Sequence, residues 1–169
     1  LEGLKRRGRC RKDLERLQPE DLYDLDQDHY GGLEAVEVLA RRARIDAASR
    51  VLDVCAGLCG PARFIARRWG ARVTGIDLNP ERAAGARRLT ARVGLAPLVR
   101  MVRGDAQSLP FGAQAFTAVI SQEGLLHVSD KGGALSECRR VLLSGGRIAF
   151  SDWTVTPRLG DGENYARGG

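Results

Sequence analysis

Three aspartates, Asp53, Asp77 and Asp105, each close a short apolar run, and the first of these runs breaks at 55–60 into the glycine-containing turn CAGLCG. An apolar strand, a tight turn and a helix, with acids ending the neighbouring strands, is how an α/β sheet builds a site for a nucleoside-containing cofactor. Chain ends and turn amides face the ligand there, and the acids meet its hydroxyl or amino groups. Asp77 follows Gly57 at the offset of about twenty residues at which a ribose-binding acid is expected. A dinucleotide site would also need G-x-G-x-x-G, and Gly57-Leu58-Cys59-Gly60 lacks the second and third glycines at that spacing. Such a site would also give no reason for Gly104-Asp105-Ala106.

The elements that must position these residues are legible from periodicity. Strands are expected at 50–54, 72–77, 99–103, 116–121 and 146–151, and helices at 61–69, 80–93 and 131–142. Leu33, Val36, Ala40 and Ala43 recur at three and four residues, so 33–44 reads as an amphipathic helix, and 13–24 as a short acidic one. Asn79 and Pro80 suit the cap and first position of their helix, and Gly145-Gly146 is expected to stop the last helix before its strand. Alternating strands and helices imply a doubly wound, mostly parallel α/β sheet of Rossmann-like type. The expected organisation is a charged arm and lid segment over 1–32, a cofactor-binding domain over 33–153 and a tail over 154–169. The fold reads as truncated after the fifth strand, whose edge a homodimer would complete.

Composition narrows the function classes. The formal charge is +6, but six of the 27 Lys and Arg residues lie within 1–12 and the remainder of the chain is close to neutral. A solvated basic arm beside an acidic stretch explains this better than a nucleic-acid surface. Four cysteines and two histidines, without C-x-x-C or His-x-x-x-His spacing, do not make a zinc site, so no metal is expected. No signal peptide or membrane-spanning run is visible, and a reduced, cytoplasmic setting is the default.

The blocks VLDVCAGLCGPARFIA, VTGIDLNP, VRGDAQSLPF, AVISQEGLLHVSDK and LSGGRIAFSDW, in this order across 50–153, resemble the class I S-adenosylmethionine (SAM) dependent methyltransferases. The resemblance implies strand order 3-2-1-4-5, with SAM as cofactor. It also implies roles: Asp53 orienting the turn or meeting the ammonium of the methionine moiety, Gly57 letting the backbone approach the cofactor, Asp77 accepting from the ribose hydroxyls, Asp105 and Ala106 at the adenine, Gln122 bordering the methionine portion, and Leu78 among the cofactor-binding residues. Two of the three glycines usual in the first block are replaced, by Cys55 and Cys59, and Cys59 is expected to weaken cofactor binding. The segments DQDHYGG and SQEGLLHVSDK are similar to small-molecule N-methyltransferases acting on phosphoethanolamine or on glycine and its methylated derivatives. That similarity implies a small-molecule amine acceptor, a latch between Tyr30 and His127, a proton-accepting role for His127, and Glu123 facing the amine. Other members with a histidine in this block methylate sterol or quinone carbon, so carbon or oxygen acceptors and a SAM-binding module without turnover are the alternatives. The fourth block lacks the Pro-Pro-aromatic element of nucleic-acid amino methylases, which argues against nucleic acid as partner.

Overall fold

The computed structural model describes residues 17–154. Strands β1 (Arg50–Val54), β2 (Arg72–Asp77), β3 (Val99–Arg103), β4 (Phe116–Gln122) and β5 (Leu142–Ser151) form one parallel sheet in the order β3-β2-β1-β4-β5. Around it lie α1 (Gly32–Arg42), α2 (Gly60–Trp69), α3 (Pro80–Arg92) and α4 (Lys131–Val141). This is the expected order, and the element bounds agree with the periodicity to within a few residues.

Both faces of the sheet are covered, so its central strands read as continuous apolar runs. On one face α1, α2 and α3 bring Val36, Leu39, Ile65 and Ala86 over Val51, Val73, Val99 and Ile120. On the other, α4 packs Ala134, Cys138 and Val141 over Leu52, Val54 and Val119. Capping follows the local sequence. Asn79 Oδ1 accepts from the amides of Glu81 (2.9 Å) and Arg82 (3.1 Å), with Pro80 at the first helical position. Gly70 closes α2 at φ 74° and donates to Ala66 O.

Two expectations are corrected. The acidic helix over 13–24 is, in its described part, a single 3-10 turn, Pro19–Leu22; residues 13–16 lie outside the described residues, as do the basic arm and most of the tail. The Asp21 carboxylate accepts from the Gln18 amide at 2.9 Å and holds that turn, while Leu17 and Leu22 are buried in the core. The pair Gly145-Gly146 does not stop the last helix. Helix α4 ends at Val141, where Ala115 N donates to Val141 O (2.7 Å) and Gln114 N to Arg140 O (3.0 Å), so its carbonyls are satisfied without a glycine cap. The glycines instead fold an irregularity inside β5: pairing jumps from Phe116↔Leu142 to Ala118↔Arg147, Gly145 takes φ 78°, and a Cβ on Gly146 would lie 3.0 Å from Thr117 O.

Gly75 in β2 is a packing requirement. A Cβ there would meet Cys59 Sγ at 2.5 Å and Ala56 Cβ at 3.0 Å, so the strand must be bare where the turn after β1 crosses it. Gly75→Ala is expected to destabilise the chain by about 1–3 kcal/mol, the usual cost of overpacking a core, as a lowered urea midpoint would show.

Candidate functional site

The strand order reverses between β1 and β4, and a cavity of about 770 Å³ opens at the carboxyl ends of the strands. Its wall begins with the turn after β1, in which Cys55 (φ 59°), Gly57 (φ 52°) and Cys59 (φ 61°) are alternately left-handed. Only glycine adopts that conformation freely, and other residues pay roughly 1–2 kcal/mol each. The turn is held by Ala56 N donating to Ile76 O (3.0 Å) and Cys59 N to Ala56 O (2.7 Å). Cys59 does not obstruct the cavity. Its side chain is fully buried against Met101 Sδ (3.5 Å) over Gly75, on the core side of the turn.

All the sequence-predicted residues except Tyr30 line this cavity. Asp53, near the end of β1, is 2% exposed, and its Oδ2 has no hydrogen-bond partner. Burial, and then the charge of Asp77, push its carboxyl up to about 7. Asp77 accepts from Gly57 N through Oδ2 (2.8 Å) and from Asn79 N through Oδ1 (2.9 Å), tying β2 to the turn while each oxygen keeps a further lone pair. Leu78 follows, largely exposed. Asp105 accepts from Gln107 N (2.8 Å), and the Gln107 oxygen accepts from Ser129 Oγ (3.0 Å) and Asp130 N (2.9 Å), which joins the loop after β3 to the start of α4; Ala106 is buried beside it. Cys55 faces the cavity as a neutral thiol, pushed up to about 12 by burial and next by the Asp77 charge.

At the other end of the cavity Gln122 closes β4 with its Oε1 buried and unpartnered. Glu123 takes φ 50°; its Oε1 accepts from Tyr30 N (2.9 Å) and its Oε2 from Trp153 Nε1 (3.1 Å). His127 sits in the 3-10 turn Leu125–His127 and is exposed on the cavity wall. The Tyr30 ring stands edge-to-face with Trp153 at 5.0 Å, and its hydroxyl makes no hydrogen bond among the described residues, so it does not reach His127. Asp26, Asp28 and His29 of the DQDHYGG loop line the cavity, with His29 Nδ1 2.9 Å from Gln122 Nε2.

Sequence reading missed what docks that loop. Arg63 and Asp26 form an ion pair at 2.6 Å with side chains 1% and 2% exposed, and Arg63 Nη1 also donates to Leu58 O in the turn after β1 (2.7 Å). Gly60 lets the Asp26 carbonyl press against α2, where any Cβ would clash. The available signals were an arginine inside the apolar run PARFIA and a second histidine beside Tyr30.

Residues 52–150 match the methyltransferase domain family, and the chain belongs to it. It is 36% identical over 118 residues to sterol 24-C-methyltransferase ERG6B of Gibberella zeae, covering 70% of this chain and 31% of that protein. It is 34% identical over 117 residues to a glycine/sarcosine/dimethylglycine N-methyltransferase of Actinopolyspora halophila, covering 69% of this chain and 21% of that protein. Among solved structures, geranyl diphosphate C-methyltransferase of Streptomyces coelicolor A3(2), in complex with Mg2+, geranyl diphosphate and S-adenosyl-L-homocysteine, superposes with TM-score 0.70 at 26% identity over 76% of this chain and 49% of that one. The chain thus spans a fifth to a third of the length of these two curated relatives. No helix among the described residues is long and apolar enough to cross a membrane, and no cluster among them could hold a metal ion.

Two predictions follow from the buried charges. Asp26→Asn leaves Arg63 a buried, unpaired cation and is expected to cost about 3–5 kcal/mol in equilibrium urea unfolding. A carboxyl raised to about 7 in the folded state, from 3.8, keeps a proton that the unfolded chain has lost, so its contribution to stability falls as pH rises from about 4 to 7. Asp53→Asn is therefore expected to raise the melting temperature of the ligand-free chain at pH above about 7 and to leave it nearly unchanged near pH 4.

Proposed function

We propose that the cavity binds SAM and that the chain is the cofactor-binding part of an enzyme that transfers a methyl group to a small-molecule acceptor, an amine. The observation that carries the cofactor reading is the pair of buried acceptors without donors, Asp53 Oδ2 and Gln122 Oε1, at the switch point of a methyltransferase-family sheet. Such atoms are costly unless a ligand donor meets them, and an ammonium group supplies three donors. Asp53 and Gln122 would hold the methionine end. Asp77 would take the ribose hydroxyls with its remaining lone pairs, Gly57 would let the backbone approach, and Asp105, Ala106 and Leu78 would border the base. When bound, the cofactor supplies a methyl group activated on a sulfonium, so the protein's work is alignment and exclusion of water.

At the acceptor end, Glu123 favours a cationic amine. Both its oxygens are met by neutral N–H donors, which leave its charge uncompensated, and the exposed Tyr30 and Trp153 rings flank it. Aromatic faces beside a carboxylate attract alkylated ammonium groups. An amine must lose a proton to attack, and His127 on the same wall would accept it, directly or through water. A carbon acceptor is the second reading, favoured by the sterol-methylating relative. The free thiols of Cys55, Cys59 and Cys138 suit a reducing, cytoplasmic setting.

Calorimetric titration with SAM and its demethylated product, followed by product analysis over amine, phenol and carbon acceptors, tests the proposal. Failure of both titrations removes the cofactor reading, and methyl transfer to carbon alone removes the amine. His127→Ala is expected to lower kcat by about 10²–10⁴-fold while SAM affinity changes little; parental turnover in that variant would take His127 out of the reaction.

A further inference from the structure

A continuous chain of polar contacts runs from the buried ion pair to the cavity. Arg63 holds Asp26 through Oδ2, and Gln27 Nε2 donates to Asp26 Oδ1 at 2.9 Å. With its amide nitrogen committed there, Gln27 turns its oxygen to His29 Nε2, 2.9 Å away, and that nitrogen must carry a proton. On the other side of the ring, Nδ1 lies 2.9 Å from Gln122 Nε2 and 3.1 Å from the Tyr30 carbonyl oxygen. Two arrangements satisfy these neighbours. A neutral ring accepts from the Gln122 amide nitrogen at Nδ1, and Gln122 Oε1 is left without a donor, as observed. A doubly protonated ring donates from Nδ1 to the Tyr30 carbonyl; the Gln122 amide must then turn its oxygen to the ring and its NH2 away from it.

We propose that His29 is a positioning residue whose proton decides which end of the Gln122 amide faces the cofactor. The proposal rests on the reading of the cavity as a SAM site. In the neutral state Oε1 is an acceptor on the same sheet face as Asp53, since Asp53 is in register with Ile120 and Gln122 lies two residues further along β4. Two acceptors on adjacent strands suit an ammonium group; an NH2 in place of one of them does not.

The surrounding charges reinforce the competition. The loop of His29 carries Asp26 and Asp28, paired with Arg63 of α2 and, at 3.6 Å, Arg82 of α3. Strands β1 and β2 contribute Asp53 and Asp77, and Glu123 and His127 follow β4. The carboxylates outnumber the guanidinium groups, so a bound cation and a proton on His29 compete for the same negative field.

Nitrogen-15 NMR of the imidazoles tests this on the full chain, which has two histidines, with His29→Gln assigning the signals. The expected result without ligand is a neutral ring protonated at Nε2 and bare at Nδ1. Saturation with SAM should oppose uptake of a second proton by His29, so that on acidification the ring stays neutral to lower pH than without ligand. Correspondingly, the affinity of the parent chain relative to His29→Gln should improve up to about tenfold per pH unit as His29 deprotonates. A neutral ring protonated at Nδ1, or a His29 titration that SAM leaves in place, would overturn the proposal. Absence of any SAM binding would overturn the cofactor reading and the role of Gln122 with it, whereas the ligand-free tautomer reports on the relay alone.

Discussion

The ion pair between Arg63 and Asp26 is out of reach of water, and the site is organised around it. A guanidinium and a carboxylate removed from solvent are stable only while they hold each other, so breaking the pair is far more costly than breaking a surface bridge. The consequence is geometric. Arg63 belongs to α2, Asp26 to the loop before α1, and Leu58 to the turn after β1, and one guanidinium binds the last two. The loop before α1 is thereby held against the turn after β1, and its His29 side chain reaches the cavity.

The turn itself is a second commitment. Left-handed backbone at Cys55 and Cys59 carries a strain that glycine would avoid, and the surrounding bonds and the burial of Cys59 over Gly75 hold it in place. The Cys59 side chain leaves the turn on the core side and stays out of the cavity. The same turn delivers the Gly57 amide to Asp77 and leaves Asp53 buried without a donor. A strained cradle beside an unsatisfied carboxyl is costly for folding and useful for binding a cation.

The end of the cavity at Glu123 is assembled from more distant parts of the chain. Glu123, following β4, collects donors from Tyr30 ahead of α1 and Trp153 beyond β5, so three segments far apart in sequence meet at one carboxylate. On the far side of the sheet, Ile148 and Phe150 of β5 remain exposed on the face that α4 covers elsewhere. The two curated relatives are three to five times longer than the region they share with this chain.

The sequence by itself determined the alternation of strands and helices, the cap at Asn79 and the gathering of Asp53, Asp77 and Asp105 in one cleft, and its resemblance to the class I methyltransferases implied the strand order. The alternation and the cap follow from local periodicity and side-chain chemistry, and the cleft from acids whose place at strand ends leaves them few other positions. Gly145-Gly146 was misread because a helix stop and a bulge ask for the same left-handed glycine, and only the partners of the α4 carbonyls distinguish them. Tertiary structure alone decided that His29 rather than Tyr30 enters the cavity, that Gln107 braces Asp105, and that Arg63 is a buried clamp. Each of those outcomes depends on which distant group satisfies a polar atom in the absence of water, and spacing along the chain does not encode that.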